Sequence, residues 1–438
     1  MRYPANAARP DERKDCAIGQ RTWPDRLGRV TQADGLAHRL AARTLALVDV
    51  PSPSRHEARL AERVAREVSL ELVFRDEGAL LYATSRRSGR PLVLLAGHLD
   101  TVPAQGNIPG RIENGAVWGL GASDMKGGLA VMLELAATLP AEPALDVAFL
   151  FFAREELPAE ESALPAVFAG APLVDEAELV IVLEPTDNAI QVGCLGNLNA
   201  TLTFTGVSAH SARPWLGVNA VALAVDGLAP IVRLPPREVE VGGLCFKEVV
   251  TVTGIEGGIA ANVVPDRVSC RLNYRYAPDR SPAEAENELR KLVGGEGTLV
   301  LDSNSPPAHV VADSALLERL CASGGFAVEP KQAWTPVAEF AARGLDAVNL
   351  GPGAPRWAHT RDEQVEAAAL ARTYEALRRF LTDERGGTHG SPTNPLLEAD
   401  APGPRCGCAG RSPAPPKESA QAATELVTAF RVSAGKKG

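Results

Sequence analysis

The chain has 438 residues, 45% of them hydrophobic and 23% charged, with a formal net charge of −9. Its length exceeds one ordinary domain, so two domains or one with a large insertion are expected, and its composition suits a soluble core rather than disorder. The acidic balance argues against a nucleic-acid partner, which needs a basic surface to displace counterions. No stretch approaches the run of about 18 apolar residues that spans a membrane, and MRYPANAARPDERKD lacks the apolar centre of a secretory signal. Neither nucleic acid nor membrane is therefore expected as a partner, and a small molecule is. The seven cysteines are scattered without framework spacing, as in a reducing, cytoplasmic protein.

In chain order, residues 1–34 are polar and irregular, and are expected to be a disordered extension. A first catalytic segment, 35–197, follows. Its apolar runs PLVLLAG (91–97), LDVAFLFF (145–152) and ELVIVLE (178–184) have the continuous character of strands covered on both faces. MKGGLAVMLELAATL (125–139) is patterned as a helix. From 198 to 310 the texture changes to alternating strands, NATLTFTG (199–206), EVVTVTGI (248–255) and DRVSCRLNYRY (266–276), around helices at 217–233 and 281–293. This predicts an inserted α+β domain. The first pattern resumes at 311–383 with the strand DAVNLG (346–351) and the helix EQVEAAALARTYEALRRFL (363–381), so the fold class is α/β with a mostly parallel sheet. Residues 384–438 form a Pro/Gly-rich tail; its Cys406-Gly-Cys408 pair has no second ligand pair beside it.

Functional groups of a parallel sheet gather beyond the carboxyl ends of its strands. The predicted strand ends and the loops beside them carry His98 and Asp100 in GHLD, Asp124 in GLGASDMKGG, Glu155 and Glu156 in AREE, Glu184 in LEPTD, and His359 in GPGAPRWAHTRDE. Singly, each has a plain structural explanation: a buried histidine, a helix cap at Ser123-Asp124, a solvated glutamate pair, a turn before Pro185. Jointly they do not. Two histidines and at least three carboxylates in one cleft are prohibitive unless cations neutralise them. Nitrogen and oxygen donors without a nearby thiolate suit zinc, and allow cobalt or manganese. Five ligands exceed what one tetrahedral zinc needs, whereas two ions sharing a bridging carboxylate would use them all. Asp100 lies two residues after His98, so both side chains share a face and the carboxylate can orient the imidazole. Of the adjacent glutamates, Glu156 is assigned to the metal and Glu155 to the general base.

These residues, in the order GHLDTVP, GLGASDMKGG, AREE, LEPTD and a late His359-x-x-x-Glu363, resemble the dinuclear zinc amidohydrolases of the M20 peptidase family over roughly residues 36 to 383. The resemblance implies a zinc-peptidase-like catalytic domain and an inserted lid and dimerisation domain. It implies two Zn²⁺ per subunit, with Co²⁺ as a substitute: one held by His98 and Glu184, the other by Glu156 and His359, with Asp124 bridging and Glu155 as acid/base. Within the family, VGCLGNLNA (192–200), VSAHSARPWLGVNA (207–220), GGIAANVVPD (257–266) and LNYRYAPDRS (272–281) resemble the Gram-positive-type succinyl-diaminopimelate desuccinylase branch. That branch implies hydrolysis of N-succinyl-LL-2,6-diaminopimelate to succinate and LL-2,6-diaminopimelate, on the route to lysine. It also implies substrate contacts from Asn262, Arg275 and Thr335, and an oxyanion-stabilising His210 delivered to the opposite subunit of a homodimer. An Arg fork and amide donors suit a substrate with carboxylates at both ends.

The chain departs from the branch at two places: Pro336 follows Thr335 where an aspartate is usual, and Glu339 stands where an arginine precedes the phenylalanine. Sister activities on the scaffold are acetylornithine deacetylase, aminoacylase and carboxypeptidase. A non-catalytic binding protein would be expected to have lost Glu155 or a ligand, and none is lost.

Overall fold

The computed structural model describes residues 32–382 apart from 88 and 296; the tail 384–438, with Cys406 and Cys408, and nearly all of the extension lie outside that range. The first helix, Gln32–Val48, starts three residues inside the segment expected to be irregular. Its buried residues Leu36, Leu40, Leu47 and Val48 give it an apolar face for the core.

Eight strands form the central sheet: β1 (Glu71–Arg75), β2 (Ala79–Ala83), β3 (Leu92–His98), β4 (Asp146–Phe152), β5 (Ala177–Val182), β6 (Ile190–Cys194), β7 (Val328–Lys331) and β8 (Ala347–Asn349). Their spatial order is β1-β2-β4-β3-β5-β8-β6-β7. The inner pairs β4–β3, β3–β5 and β5–β8 are parallel, while β1 and β2 are antiparallel additions at one edge. All seven residues of β3 and of β4 are buried, which is why their sequences read as unbroken apolar runs. The pleat sends Phe149 and Phe151 into one core and Ala148, Leu150 and Phe152 into the other. Helices Gln32–Val48, Gly127–Thr138 and Ala367–Thr382 pack together over the first face. Leu164–Gly170 and Val337–Ala341 cover the second.

Between β6 and β7 the chain builds a separate five-stranded antiparallel sheet, in the order Arg237–Val241, Leu244–Gly257, Arg267–Tyr276, Gly196–Thr205, Thr298–Ser305. Strand Gly196–Thr205 buries alternate residues, the mark of a sheet with one covered face. Helices Ala220–Val232 and Pro282–Val293 cover it, with Leu198, Leu202, Phe204, Leu228, Leu272 and Leu289 in a core of their own. The second helix begins at a capping box between Ser281 and Glu284.

The helix expected over 363–381 is shorter at its start. Gln364–Glu366 is a strand paired antiparallel with Ala116–Trp118, and the helix begins at Ala367. Helical periodicity in EQVEAAAL is outweighed there by backbone pairing to a distant hairpin, Arg111–Glu113 with Ala116–Trp118. Among the described residues no helix is long and apolar enough to cross a membrane.

Candidate active site

The carboxyl ends of β3, β4 and β5 lie side by side, and the loops leaving them bring the sequence candidates together. His98 is the last residue of β3 and is fully buried. Its Nδ1 lies 3.0 Å from the Asp100 carbonyl oxygen and 3.5 Å from Asp100 Oδ1, which turns Nε2 toward Asp124 Oδ1 at 3.1 Å and Glu184 Oε1 at 3.7 Å. Asp124 Oδ2 is 3.4 Å from His359 Nε2, and that same nitrogen is 2.9 Å from Glu156 Oε1. Asp124 thus stands between the two histidines. Ligand atoms of His98, Asp124 and Glu156 all lie within 4.8 Å of one another.

Asp100 does more than orient His98. Its Oδ1 accepts the Glu155 amide at 3.0 Å, its Oδ2 the Glu156 amide at 3.1 Å, and Ser54 Oγ donates to Oδ2 at 2.9 Å. One carboxylate therefore positions both the β3 ligand and the loop after β4 that carries the glutamate pair. The Glu155 side chain makes no hydrogen bond among the described residues, although it stands within the electrostatic reach of Glu184, His98, Glu156 and Asp124.

A network that the sequence alone did not reveal holds Asp124. Glu363, buried, accepts the Gly121 amide at 2.8 Å on one oxygen and the Ser123 and Asp124 amides at 3.0 and 2.9 Å on the other. The only sequence signal was the His-x-x-x-Glu spacing, which marked the residue without a role. Gly353 packs against the same loop: a Cβ there would collide with the Ser123 carbonyl oxygen. Lys126, also buried, anchors the loop by donating to the Val50 carbonyl at 2.9 Å. Glu363→Ala would strand three backbone donors at roughly 1–3 kcal/mol each. It is expected to lower both the melting temperature and the metal content, read by calorimetry and elemental analysis; unchanged metal content would show that Asp124 keeps its place without Glu363.

The charges explain what the cluster is for. Desolvation and the neighbouring Asp124 charge push Glu184 up to about 7, and desolvation with the Glu184 charge raises Glu155 well above the usual carboxylate range. Burial alone would lower His98, but its bonds to Asp100 and Asp124 and the charges of Glu184 and Glu155 raise it well above its ordinary value. Hydrogen bonds donated to the Asp124 and Glu156 carboxylates push His359 up to about 10. These shifts share one cause, the crowding of several carboxylates around two imidazoles in a buried place. Glu184 Oε1 is buried with no hydrogen-bond partner among the described residues, an orphan acceptor that a cation would satisfy. The donor set fits divalent metal.

The other candidates sit apart from this group. His210 is exposed in a two-residue strand paired with Val263, and its Nδ1 accepts the Ala212 amide at 3.0 Å; Asn262, in the adjoining turn, is exposed and takes the Ser211 amide on its carbonyl. Among the described residues neither bonds to the His98 group. Arg275 is half-buried and donates from Nε to Asn273 Oδ1 at 2.9 Å. Thr335 is buried beside Cys194. Pro336 stands at the cap of helix Val337–Ala341 with φ −56, where a proline costs no helix hydrogen bond.

Comparison with known proteins places this geometry. The model of peptidase family M20/M25/M40 matches residues 94–383. A Mycobacterium tuberculosis protein bearing the name "Putative succinyl-diaminopimelate desuccinylase DapE" is 40% identical over 348 residues, covering 77% of this chain and 96% of that one. The succinyl-diaminopimelate desuccinylase of Corynebacterium glutamicum is 35% identical over 352 residues, covering 78% and 95%. Among solved structures, an M20 family metallo-carboxypeptidase from Sulfolobus solfataricus superposes with a TM-score of 0.63 at 19% identity, over 78% of this chain and 99% of that one, a likeness of fold. The chain belongs to peptidase family M20/M25/M40.

Proposed function

We propose that the protein hydrolyses N-succinyl-LL-2,6-diaminopimelate to succinate and LL-2,6-diaminopimelate, with two Zn²⁺ per subunit and Co²⁺ as a working substitute. The observation that carries this reading is the convergence of His98, Asp124, Glu156, Glu184 and His359 around an unbonded Glu155. The relatives bearing the desuccinylase name give the acyl group. His98 and Glu184 would hold one ion, Glu156 and His359 the other, with Asp124 shared. Bound metal supplies Lewis acidity toward water and the scissile carbonyl. Glu155 takes the proton of the attacking water and returns it to the leaving nitrogen, so amide and water become carboxylate and amine. Asp100 keeps His98 and the Glu155–Glu156 backbone in register throughout.

Arg275, Asn262 and Thr335 are assigned to the carboxylates and amide of the substrate. The deciding experiment assays the zinc-loaded protein on N-succinyl-LL-2,6-diaminopimelate beside N-acetyl-L-ornithine. Turnover of the succinyl amide at least tenfold faster in kcat/KM supports the reading; preference for the acetyl substrate moves the activity to a deacetylase.

We further infer a cytoplasmic homodimer formed through residues 198–310. Cys194, Cys270 and Cys321 form no disulfide among the described residues, in keeping with a reducing compartment. Val221, Val225 and Val232 on helix Ala220–Val232 and Ile255 on strand Leu244–Gly257 are exposed and line a groove of about 500 Å³, an apolar face suited to a two-fold contact. On this reading His210 of one subunit stabilises the oxyanion in the other, worth about 2.7–4 kcal/mol by analogy with other such donors. Mixing inactive His210→Ala with inactive Glu155→Gln, after subunit exchange, is expected to restore activity, because one of the two mixed sites has both residues. Activity at the background of the single variants would mean that each site is completed within its own chain.

A further inference from the structure

Beside the metal centre lies a second cavity, of about 390 Å³, that none of the assignments above uses. One wall is Leu157 and Pro158, immediately after Glu156, so cavity and metal site share a loop. Asn197, Asn199 and Ser303 supply uncharged polar groups from the inserted sheet. Trp334 lines it with its ring, since its Nε1 is committed to the Pro306 carbonyl at 3.2 Å. Glu339 completes it, and neither lysine, arginine nor histidine is among the lining residues; the other charge is Glu160, exposed.

Glu339 is half-buried, and its carboxylate has no hydrogen-bond or ion-pair partner among the described residues. Desolvation alone pushes its carboxyl up to about 7. A half-buried carboxylate in a cavity whose lining holds no cation, only uncharged polar groups and the exposed Glu160, lacks the counter-charge that desolvated carboxylates need. The amides around it are already ordered: Asn273 Nδ2 donates to Asn197 Oδ1 and Asn199 Oδ1, both at 2.8 Å, and Asn199 Nδ2 to Ser303 Oγ at 3.0 Å. Asn273 in turn accepts from Arg275, which ties the cavity wall to a residue assigned to substrate carboxylate.

We propose that this cavity receives a second ammonium group on the amine half of the substrate, with Glu339 as its counter-charge and the specificity-determining residue. The proposal rests on the amide-hydrolase reading above and narrows it to N-acyl amino acids whose amine half carries a further ammonium. N-succinyl-LL-2,6-diaminopimelate has one, at the far end of its chain, and its methylenes suit the Trp334 and Leu157 walls. Because Glu339 is one of the two departures from the branch, the property is assigned to this chain.

The test uses full-length, zinc-loaded protein carrying Glu155→Gln, which is expected to hold amides without cleaving them. Binding of N-succinyl-LL-2,6-diaminopimelate is measured by calorimetry beside N-succinyl-L-2-aminopimelate, which lacks only the distal ammonium. A preference of roughly tenfold or more for the first is expected, the low end for a desolvated charge pair. Adding the isosteric Glu339→Gln is expected to remove most of it while leaving the second ligand unchanged. Equal binding of the two ligands, binding of neither, or a preference that survives Glu339→Gln would overturn the proposal for the succinyl series. N-acetyl-L-ornithine and N-acetyl-L-norvaline, which differ only in the side-chain ammonium, separate the two readings. A Glu339-dependent preference confined to that pair keeps the ammonium site and sinks the desuccinylase, whereas its absence from both pairs overturns the ammonium site outright. Hydrolysis of the succinyl amide by wild type with no ammonium preference leaves the desuccinylase and removes Glu339.

Discussion

Stripping divalent metal with a chelator is expected to abolish hydrolysis, and returning zinc or cobalt is expected to restore it. The reason lies in the charges of the site. Asp100, Asp124, Glu155, Glu156 and Glu184 converge on two imidazoles, and the cost appears as a Glu184 carboxyl raised to about 7, a Glu155 carboxyl raised well above its usual range and a His359 raised to about 10. Ligation requires neutral imidazole and ionised carboxylate, so metal must displace those protons, and its binding is coupled to their release. A second readout follows. Saturating zinc stabilises the folded protein by about 2.7 kcal/mol at one hundred times its dissociation constant, so the melting temperature should rise on loading. Full activity in protein shown by elemental analysis to be metal-free would end the hydrolase mechanism argued here.

Replacing Glu155 with Gln should lower kcat by roughly 10² to 10⁴, the usual worth of a general base, while metal content stays unchanged. The structure separates the two adjacent glutamates. Glu156 Oε1 lies 2.9 Å from His359 Nε2, beside Asp124, whereas the Glu155 carboxylate bonds to nothing among the described residues. Their amides are held alike by Asp100, so neither substitution should disturb the loop. Glu156→Gln is therefore expected to lose metal first and rate as a consequence. Exchanged phenotypes, with metal lost from Glu155→Gln, would reverse the division of labour and leave the site standing.

The two departures from the branch have different weights. Pro336 sits where a helix begins and needs no amide bond, so it changes little of the backbone. Glu339 places a carboxylate in a cavity next to the catalytic loop, and its consequence is one of charge.

By itself the sequence determined most of the elements and offered the candidate donors. The runs ending near His98 and Phe152 are almost wholly apolar because both faces of β3 and β4 are covered, and in β5 only Glu178 is exposed; that patterning is local. Donor types are equally local, which is why His98, Asp124, Glu156, Glu184 and His359 could be picked out at strand ends and in the loops that follow. Tertiary structure alone decided how they are held. Glu363 reaches the amides of Gly121, Ser123 and Asp124 across some 240 residues, Ser54 reaches Asp100, and Gln364–Glu366 leaves its helical pattern to pair with Ala116–Trp118. A carboxylate's sequence neighbours carry no record of which distant amides it will accept. That choice is made when the chain packs, because buried donors must be satisfied by whatever the fold brings to them.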